Sequence, residues 1–502
     1  MKYHFIGING VSMSGLANLI AELGHEVSGC DINKLKTENE KLKIIVGHNI
    51  SHITKDLDGV VVTCAALHPS SPAKEEIEQA KKMGVKIIKR SQLIGLLMSP
   101  NNQISKINQM GIAVAGMHGK TTTSSMIAHI LTYAKYDPTI LVGGEVRNIG
   151  ASEKLGKGKY LVAEACEYER QFLDFRPKIA VITNIEEEHL DTYTGGIKDI
   201  KQTFKKFIKL LPKDGLLVLN QDDKNCMSLM KVAKCKVKRV TIKKPWPGLK
   251  LQMPGKHILL DATLAARVAH EIGIDSKTIK DALNSFIGTK RRFEVKGMKD
   301  GVTVVDDYGH HPTEIQATIL AAREQLKKFQ ISNTKFSLDK LETPVGQINS
   351  KSKIPNPKIN LKSKILNHKL VVVFQPHQYT RTKLLFKDFV KSFDGADKVI
   401  ISDIYLIAGR EPAEARADYS RDLVEAIKKH CNSKSSVCHS ELVSESKNPL
   451  LSEESQCDKC DIKYISRYKD ILSELKKTAQ KGDLVMTLGA TDIYKVGEEF
   501  LK

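Results

Sequence analysis

Residues 116–122 read Gly-Met-His-Gly-Lys-Thr-Thr and follow an apolar run at 112–115. Each residue type here has a use against a phosphate chain. Gly116 and Gly119 let backbone N–H groups approach anionic oxygens closely. Lys120 brings a positive charge to the β/γ-phosphates, and the Thr121 hydroxyl is placed to ligate a divalent cation. A helix starting near Lys120 points its positive end at the same anion. The pattern predicts a site for ATP with Mg2+ or Mn2+, built on Gly116, Met117, His118, Gly119, Lys120, Thr121 and Thr122. It is narrower than the general phosphate loop, which carries a glycine five residues before its last one; Val114 stands there.

Other polar clusters also follow apolar runs. Glu164 closes one, and Asn184-Ile185-Glu186-Glu187-Glu188-His189 follows another. Ligands of an open α/β sheet gather at strand C-termini, so Thr121, Glu164 and His189 are candidate metal ligands. Taken singly, Glu164 or His189 reads as a solvated loop residue; the phosphate loop beside them reverses that reading. Further on come Asp306-Asp307-Tyr308-Gly309-His310-His311-Pro312-Thr313-Glu314 and Gln375-Pro376-His377-Gln378-Tyr379-Thr380-Arg381-Thr382. A helix start at Thr313 would account for the acids. It accounts less well for His310, His311, His377 and Arg381, which are poor core and good site material.

These residues need strands to carry them. Residues 3–17 read as strand, glycine-rich turn and helix, with a second strand ending at Asp31. That is the start of a doubly wound nucleotide fold. Further strands are predicted at 59–63, 85–88, 160–163, 179–183, 215–219, 302–305, 370–374, 398–401 and 483–487. Alternation with helices implies largely parallel α/β sheets. The chain of 502 residues divides into about three domains, at 1–105, 106–289 and 290–502. Two polar stretches, 328–368 and 431–461, read as surface insertions in the last domain.

Composition narrows the class. The chain is 41% hydrophobic, with no apolar run of about 18 residues, so no membrane insertion is expected. Its start enters a strand directly, which predicts a cytoplasmic protein. The net charge of +20 comes from lysines spread along the chain. Without a basic stripe interleaved with aromatics, it predicts anionic small substrates and no nucleic acid. Of nine cysteines, Cys431, Cys438, Cys457 and Cys460 cluster. Only Cys457 and Cys460 have zinc-ligand spacing, which makes a weak case for zinc.

Taken together, these motifs resemble the Mur ligases. The resemblance rests on the turn at 7–15 with Met13-Ser14-Gly15, the loop at 116–122, Glu164, residues 184–189, Gly255-Lys256-His257, 290–293, 306–314, 374–382, Asp403-Ile404-Tyr405 with Gly409, and Gly489-Ala490 with Asp492-Ile493. It covers the chain apart from the two insertions. It implies a three-domain architecture: a Rossmann-like N-terminal domain, a central P-loop ATPase domain and a Rossmann-like C-terminal domain. It implies an ATP-dependent enzyme of peptidoglycan precursor synthesis, monomeric or homodimeric, closest to members that join L-alanine to UDP-N-acetylmuramate through an acyl phosphate. Alternatives are a ligase recycling murein tripeptide onto the same UDP-sugar, and a catalytically weak UDP-sugar-binding homologue.

The resemblance also distributes roles. Gly10, Val11, Ser12, Met13, Ser14 and Gly15 would hold the UDP pyrophosphate, with Asp31 and His48 near the nucleoside. Lys120, Glu164, His189, His310 and Arg381 would be catalytic, and His311, His377 and Arg381 would meet the amino acid. Asn184, Lys290 and Arg292 would approach ATP. The chain departs from the family pattern at Asn9 and Ser12, where glycine is usual, and at Met117, where threonine is. Ile258 and Asp261 stand for two asparagines of the adenine-side motif, Gln378 for an arginine and Thr491 for a glycine.

Overall fold

The computed structural model describes residues 1–33, 40–69, 71–99, 102, 104–105, 107–339, 368–407, 411–440 and 461–502; the side chains of residues 11, 328–339 and 434–440 lie outside the description. Gly409, Cys457, Cys460, the side chain of Cys438 and most of both insertions therefore fall outside the description. The chain parts into two compact units, Met1–Lys290 and Arg291–Lys502.

The first unit holds two sheets. One contains β1 (Lys2–Ile6), β2 (Glu26–Asp31), β3 (Leu42–Val46), β4 (Gly59–Val62) and β5 (Ile87–Lys89), in the order β3-β2-β1-β4-β5 and wholly parallel. Helices α1 (Val11–Glu22), α2 (Lys74–Met83) and α3 (Arg90–Leu97) connect its strands. The strand order reverses between β1 and β4, the place where doubly wound sheets open a crevice.

The other sheet contains β6 (Met110–Ala115), β7 (Thr139–Val146), β8 (Ala151–Lys154), β9 (Tyr160–Glu164), β10 (Ile179–Ile182), β11 (Leu216–Asn220) and β12 (Lys236–Val240). Its order is β12-β11-β10-β6-β9-β7-β8, parallel except for the β7–β8 hairpin. β6 sits where the order reverses. The central strands are unbroken apolar runs because both faces are covered. Helix α4 (Lys120–Tyr133) is buried from Thr121 to Leu131, packed against the sheet, α7 (Lys256–Glu271) and α8 (Ser276–Ser285). Helices α5 (Gly196–Ile208) and α6 (Lys224–Leu229) cover the other face of the sheet, in one core with Ala113, Ile182 and Leu219.

The second unit has one sheet of β13 (Glu294–Lys299), β14 (Val302–Asp307), β15 (Leu370–Phe374), β16 (Lys398–Ile401), β17 (Asp461–Tyr464) and β18 (Leu484–Leu488). The order is β13-β14-β18-β15-β16-β17, parallel but for the β13–β14 hairpin. Its helices are α9 (Pro312–Asp339), α10 (Tyr379–Leu384), α11 (Phe386–Ser392), α12 (Ser420–Ser440), α13 (Tyr468–Thr478) and α14 (Tyr494–Leu501). The fold is thus the α/β class expected, built on largely parallel sheets. Among the described residues, no helix is long and apolar enough to cross a membrane.

Candidate active site

The phosphate loop joins β6 to α4. Gly116 and Gly119 have φ of +135° and +79°, a region L side chains rarely adopt. Space forbids a side chain as well. A Cβ at Gly116 would lie 2.0 Å from Thr183 Oγ1, and one at Gly119 2.5 Å from Asp261 Oδ1. The end of β10 pins the loop. Met117 N donates to the Asn184 carbonyl (3.2 Å) and His118 N to Asn184 Oδ1 (2.9 Å). The Asn184 side-chain amide and Thr183 Oγ1 return bonds to the His118 carbonyl at 2.9 and 2.5 Å. The His118 ring pairs with Glu186 at 2.7 Å. In this arrangement Met117, His118 and Asn184 shape the loop. The amides of Lys120, Thr121 and Thr122 are first-turn donors of α4.

Lys120 folds back over that loop. Its Nζ donates to the carbonyls of Gly116 (2.7 Å) and Met117 (2.8 Å), and pairs with Glu167 at 2.9 Å. Glu167 is 1% exposed. Burial opposes both charges, yet each sustains the other. Lys120 holds the Glu167 carboxyl down at about 2, and Glu167 with Glu164 raises the Lys120 ammonium above its ordinary range.

Two groups of donors flank Lys120. In one, Thr121 Oγ1 and Gly143 N donate to Glu164 Oε2 at 2.8 and 3.0 Å. In the other, His189 Nε2 lies 3.3 Å from Glu167 and 3.9 Å from Glu188. Glu167, Glu188 and His189 each offer a donor atom within 4.8 Å of the others. Mostly oxygen donors, these suit a hard cation such as Mg2+ or Mn2+. Thr121, Glu164 and His189 thus stand near one lysine, with His189 in the Glu167 group. Sequence reasoning did not single out Glu167; among three glutamates at 164–169, only burial and the lysine contact mark it.

The turn after β1 uses glycine differently. Asn9 N and Asn33 N donate to the Asp31 carboxylate at 3.1 and 3.2 Å, so Asp31 shapes the turn. Gly10 is exposed at the start of α1, Ser12 is exposed, Ser14 is half-buried, and Met13 is core. The side chain of Val11 is outside the described residues. Gly15 admits a neighbour: a Cβ there would lie 2.4 Å from the Glu153 side chain of β8. His48 pairs with Glu76 of α2 at 2.8 Å. On the adenine-side motif, Ile258 is 4% exposed in the core. Asp261 accepts from Thr123 Oγ1 at 3.0 Å. Lys290 pairs with Glu145 at 2.6 Å.

In the second unit, three predicted residues converge. The His310 and His377 rings lie 5.9 Å apart, Arg381 Nη1 is 3.3 Å from His377 Nδ1, and His377 stacks on Tyr405 at 5.7 Å. Burial, helped by the Arg381 charge, holds His310 well below its usual pKa, so its ring is neutral. His311 is buried at the start of α9, where its carbonyl accepts from Ile315 N. Arg292 lies over the Tyr308 ring at 5.1 Å and 3.6 Å from Glu314.

Residues not singled out from sequence support this group. Asp307 accepts from Phe293 N and Gly309 N, both at 2.7 Å, and so fixes the turn that carries His310. Burial raises its carboxyl to about 6. Arg291 bonds Asp306 at 3.0 Å and the Gly489 carbonyl at 2.7 Å. Gln378 starts α10 with φ +72° and donates its amide to the Tyr405 carbonyl. Thr491 donates to Gln375.

Comparison with known proteins agrees with this layout. The Mur ligase middle domain model matches residues 114–266, the Mur ligase family catalytic domain model 2–101, and the Mur ligase glutamate ligase domain model 291–331. A UDP-N-acetylmuramate–L-alanine ligase of Caldanaerobacter subterraneus subsp. tengcongensis is 38% identical over 100% of this chain and 97% of its own. Its namesake in Acetivibrio thermocellus is 36% identical, covering 99% and 95%. In fold, the chain is similar to the UDP-N-acetylmuramate-alanine ligase of Thermotoga maritima, with TM-score 0.70, 22% identity, and 100% and 98% coverage. It is also similar to a murein peptide ligase from Psychrobacter arcticus, at TM-score 0.61, 22% identity and the same coverage. A glycine loop crowded by its neighbours, a lysine between two carboxylate groups and full-length relatives of one kind converge on one conclusion: this chain belongs to the Mur ligase family.

Proposed function

We propose that this chain joins L-alanine to UDP-N-acetylmuramate at the expense of ATP, through an acyl phosphate, in peptidoglycan precursor synthesis. The observation that carries the reading is Lys120, half-buried at the head of α4, paired with Glu167 and within the charge field of Glu164. The names of full-length relatives at 35–38% identity support the choice of substrates. We assign the UDP-sugar to residues 1–105, ATP to 106–289 and the amino acid to 290–502.

The α4 amides and Lys120 take the phosphates, Lys120 exchanging its loop carbonyls for the γ-phosphate. Thr121, Glu164 and His189, with Glu167, would hold a divalent ion that neutralises phosphate charge. A carboxylate oxygen of the sugar substrate attacks the γ-phosphorus and the bond to ADP breaks. The alanine amine then attacks the acyl carbon and phosphate leaves. Arg381 offers a fork donor to the alanine carboxylate. The neutral ring of His310 offers an acceptor near the amine, and His377 stands beside it. Lys290 and Arg292 are assigned to the nucleotide during turnover.

The test is ADP release with UDP-N-acetylmuramate against glycine, L-alanine, L-serine and the murein tripeptide. Release is expected only with both the UDP-sugar and an amino acid, fastest with L-alanine. Preference for the tripeptide would favour the recycling ligase. Release indifferent to either substrate would overturn the ligase reading.

A further inference from the structure

The first sheet holds another cluster of metal-ligand side chains, apart from the phosphate loop. His4 stands on β1, Cys30 on β2, His52 in the short turn Ile50–His52 and Glu76 on α2. One donor atom of each lies within 4.8 Å of the others. His4 and Cys30 are 0% exposed, Glu76 is 1% exposed, and the His52 side chain is 10% exposed. Four elements distant in sequence thus turn their most metal-binding side chains to one buried point.

The bonds inside the cluster show what each donor does already. His52 Nδ1 lies 2.6 Å from Glu76 Oε1, and His48 Nδ1 lies 2.8 Å from Oε2. Cys30 Sγ is 3.4 Å from both oxygens. His4 Nδ1 bonds Ser28 Oγ at 2.9 Å, and its ring is 5.7 Å from that of His52. His4 Nε2 is buried with no hydrogen-bond partner among the described residues. A buried imidazole nitrogen without a partner is costly, and a cation would use its lone pair.

We propose that His4, Cys30, His52 and Glu76 form a structural site for Zn2+ or a chemically similar divalent transition ion. The donor chemistry selects the ion. One thiolate, two imidazoles and one carboxylate are too soft a set for Mg2+ or Ca2+, and match four-coordinate zinc. Thiolate and carboxylate balance its two charges. Binding releases the Cys30 thiol proton to solvent, and sulfur takes the metal in its place. His48, on the other oxygen of Glu76, orients that carboxylate. Burial leaves no open coordination position, so the ion would clamp β1, β2, the turn and α2 rather than carry out chemistry.

The probe is Co2+, added to the reduced full-length chain and followed by absorption. One equivalent is expected to give a thiolate-to-cobalt charge-transfer band with tetrahedral ligand-field bands, displaced by Zn2+. Cys30→Ser should abolish the charge-transfer band. Cys166→Ala, which alters a thiol next to Glu167, should leave it in place. His52→Gln should weaken Co2+ binding by on the order of 10- to 100-fold, a loss typical of a disturbed metal site. Zn2+ should also raise the melting temperature of the unaltered chain. No charge-transfer band in the unaltered chain would overturn the site, and so would a band that survives in Cys30→Ser. If Cys30→Ser does not fold, an unchanged Co2+ affinity in His52→Gln would overturn it instead.

Discussion

Glu167 and Asp307 are both buried carboxylates that organise a polar turn after a strand, yet they are driven in opposite directions. Burial pushes both toward the neutral form. Glu167 touches Lys120 at 2.9 Å and is held at about 2. Asp307 is held by two backbone amides; the Arg292 charge only partly offsets burial, and its carboxyl rises to about 6. A contact cation outweighs burial, whereas two amides and a more distant charge do not. The first site is therefore an ion pair whose lysine, in the proposed reaction, is exchanged onto phosphate. The second is a scaffold that presents the neutral ring of His310.

Removing the cation should break the contrast most severely. Lys120→Met is expected to slow ADP release by at least about 1,000-fold, the order seen when a charge-stabilising group is lost. It leaves Glu167 buried without its partner, which costs about 3–5 kcal/mol in denaturant unfolding. The Glu167 carboxyl should rise above its ordinary 4.5, toward the behaviour of Asp307. A Glu167 that stays acidic in this variant would show that the lysine does not hold it.

The pH dependence follows next in size. Glu167 is depressed, so its contribution to stability is present above about pH 4.5 and is lost as pH falls toward 2. Asp307 is raised, so its contribution is present below about pH 3.8 and is lost as pH rises through 6. Each amounts to about 3 kcal/mol at 1.36 kcal/mol per pH unit. Unfolding measured from pH 2 to 8 should show a shallower acid limb in Glu167→Gln, the other depressed carboxylates such as Glu474 keeping theirs. In Asp307→Asn the decline between pH 4 and 6 should vanish, whatever the variant's absolute stability. Unchanged limbs would refute the assignment.

The smallest effect sharpens a second contrast, between the two glycine turns. Gly119→Ala meets both a φ of +79° and a 2.5 Å clash, so about 1–3 kcal/mol of stability and roughly tenfold in KM for ATP should be lost. Gly10 has φ −59°, and its nearest Cβ contact would be 3.5 Å. Gly10→Ala should change the melting of the substrate-free chain by under about 0.5 kcal/mol.

Much of this was legible in the sequence. The apolar runs at 370–374 and 398–401 are strands over their whole length, because central parallel strands are buried on both faces. β3, β8, β12, β13 and β17 are absent from the sequence expectations; they lie at sheet margins, and mixed runs such as Lys-Val-Lys-Arg-Val in β12 do not announce a strand. β7, inside its sheet, is absent as well, its run broken by Gly143-Gly144. The loop at 116–122 could be read because its residue types are their own chemical signal. Glu167 and Asp307 could not be ranked among nearby acids, since what marks them is burial and contact. Asn184 and Asp31, expected at the ATP and the nucleoside, also hold protein backbone, which residue type alone does not announce. Ile258 and Asp261, departures from the family motif, are explained only by three-dimensional surroundings: one is core, the other braces Thr123 behind the loop.

The central claim is that the carboxylate of the sugar substrate attacks the γ-phosphate. The direct test labels that carboxylate of UDP-N-acetylmuramate with a heavy oxygen isotope and examines the phosphate released in the presence of ATP and L-alanine. An acyl phosphate requires that one labelled oxygen per turnover leave with phosphate while ADP remains unlabelled. Phosphate without label would contradict it, because the γ-phosphoryl group would then have been transferred to water or to another acceptor.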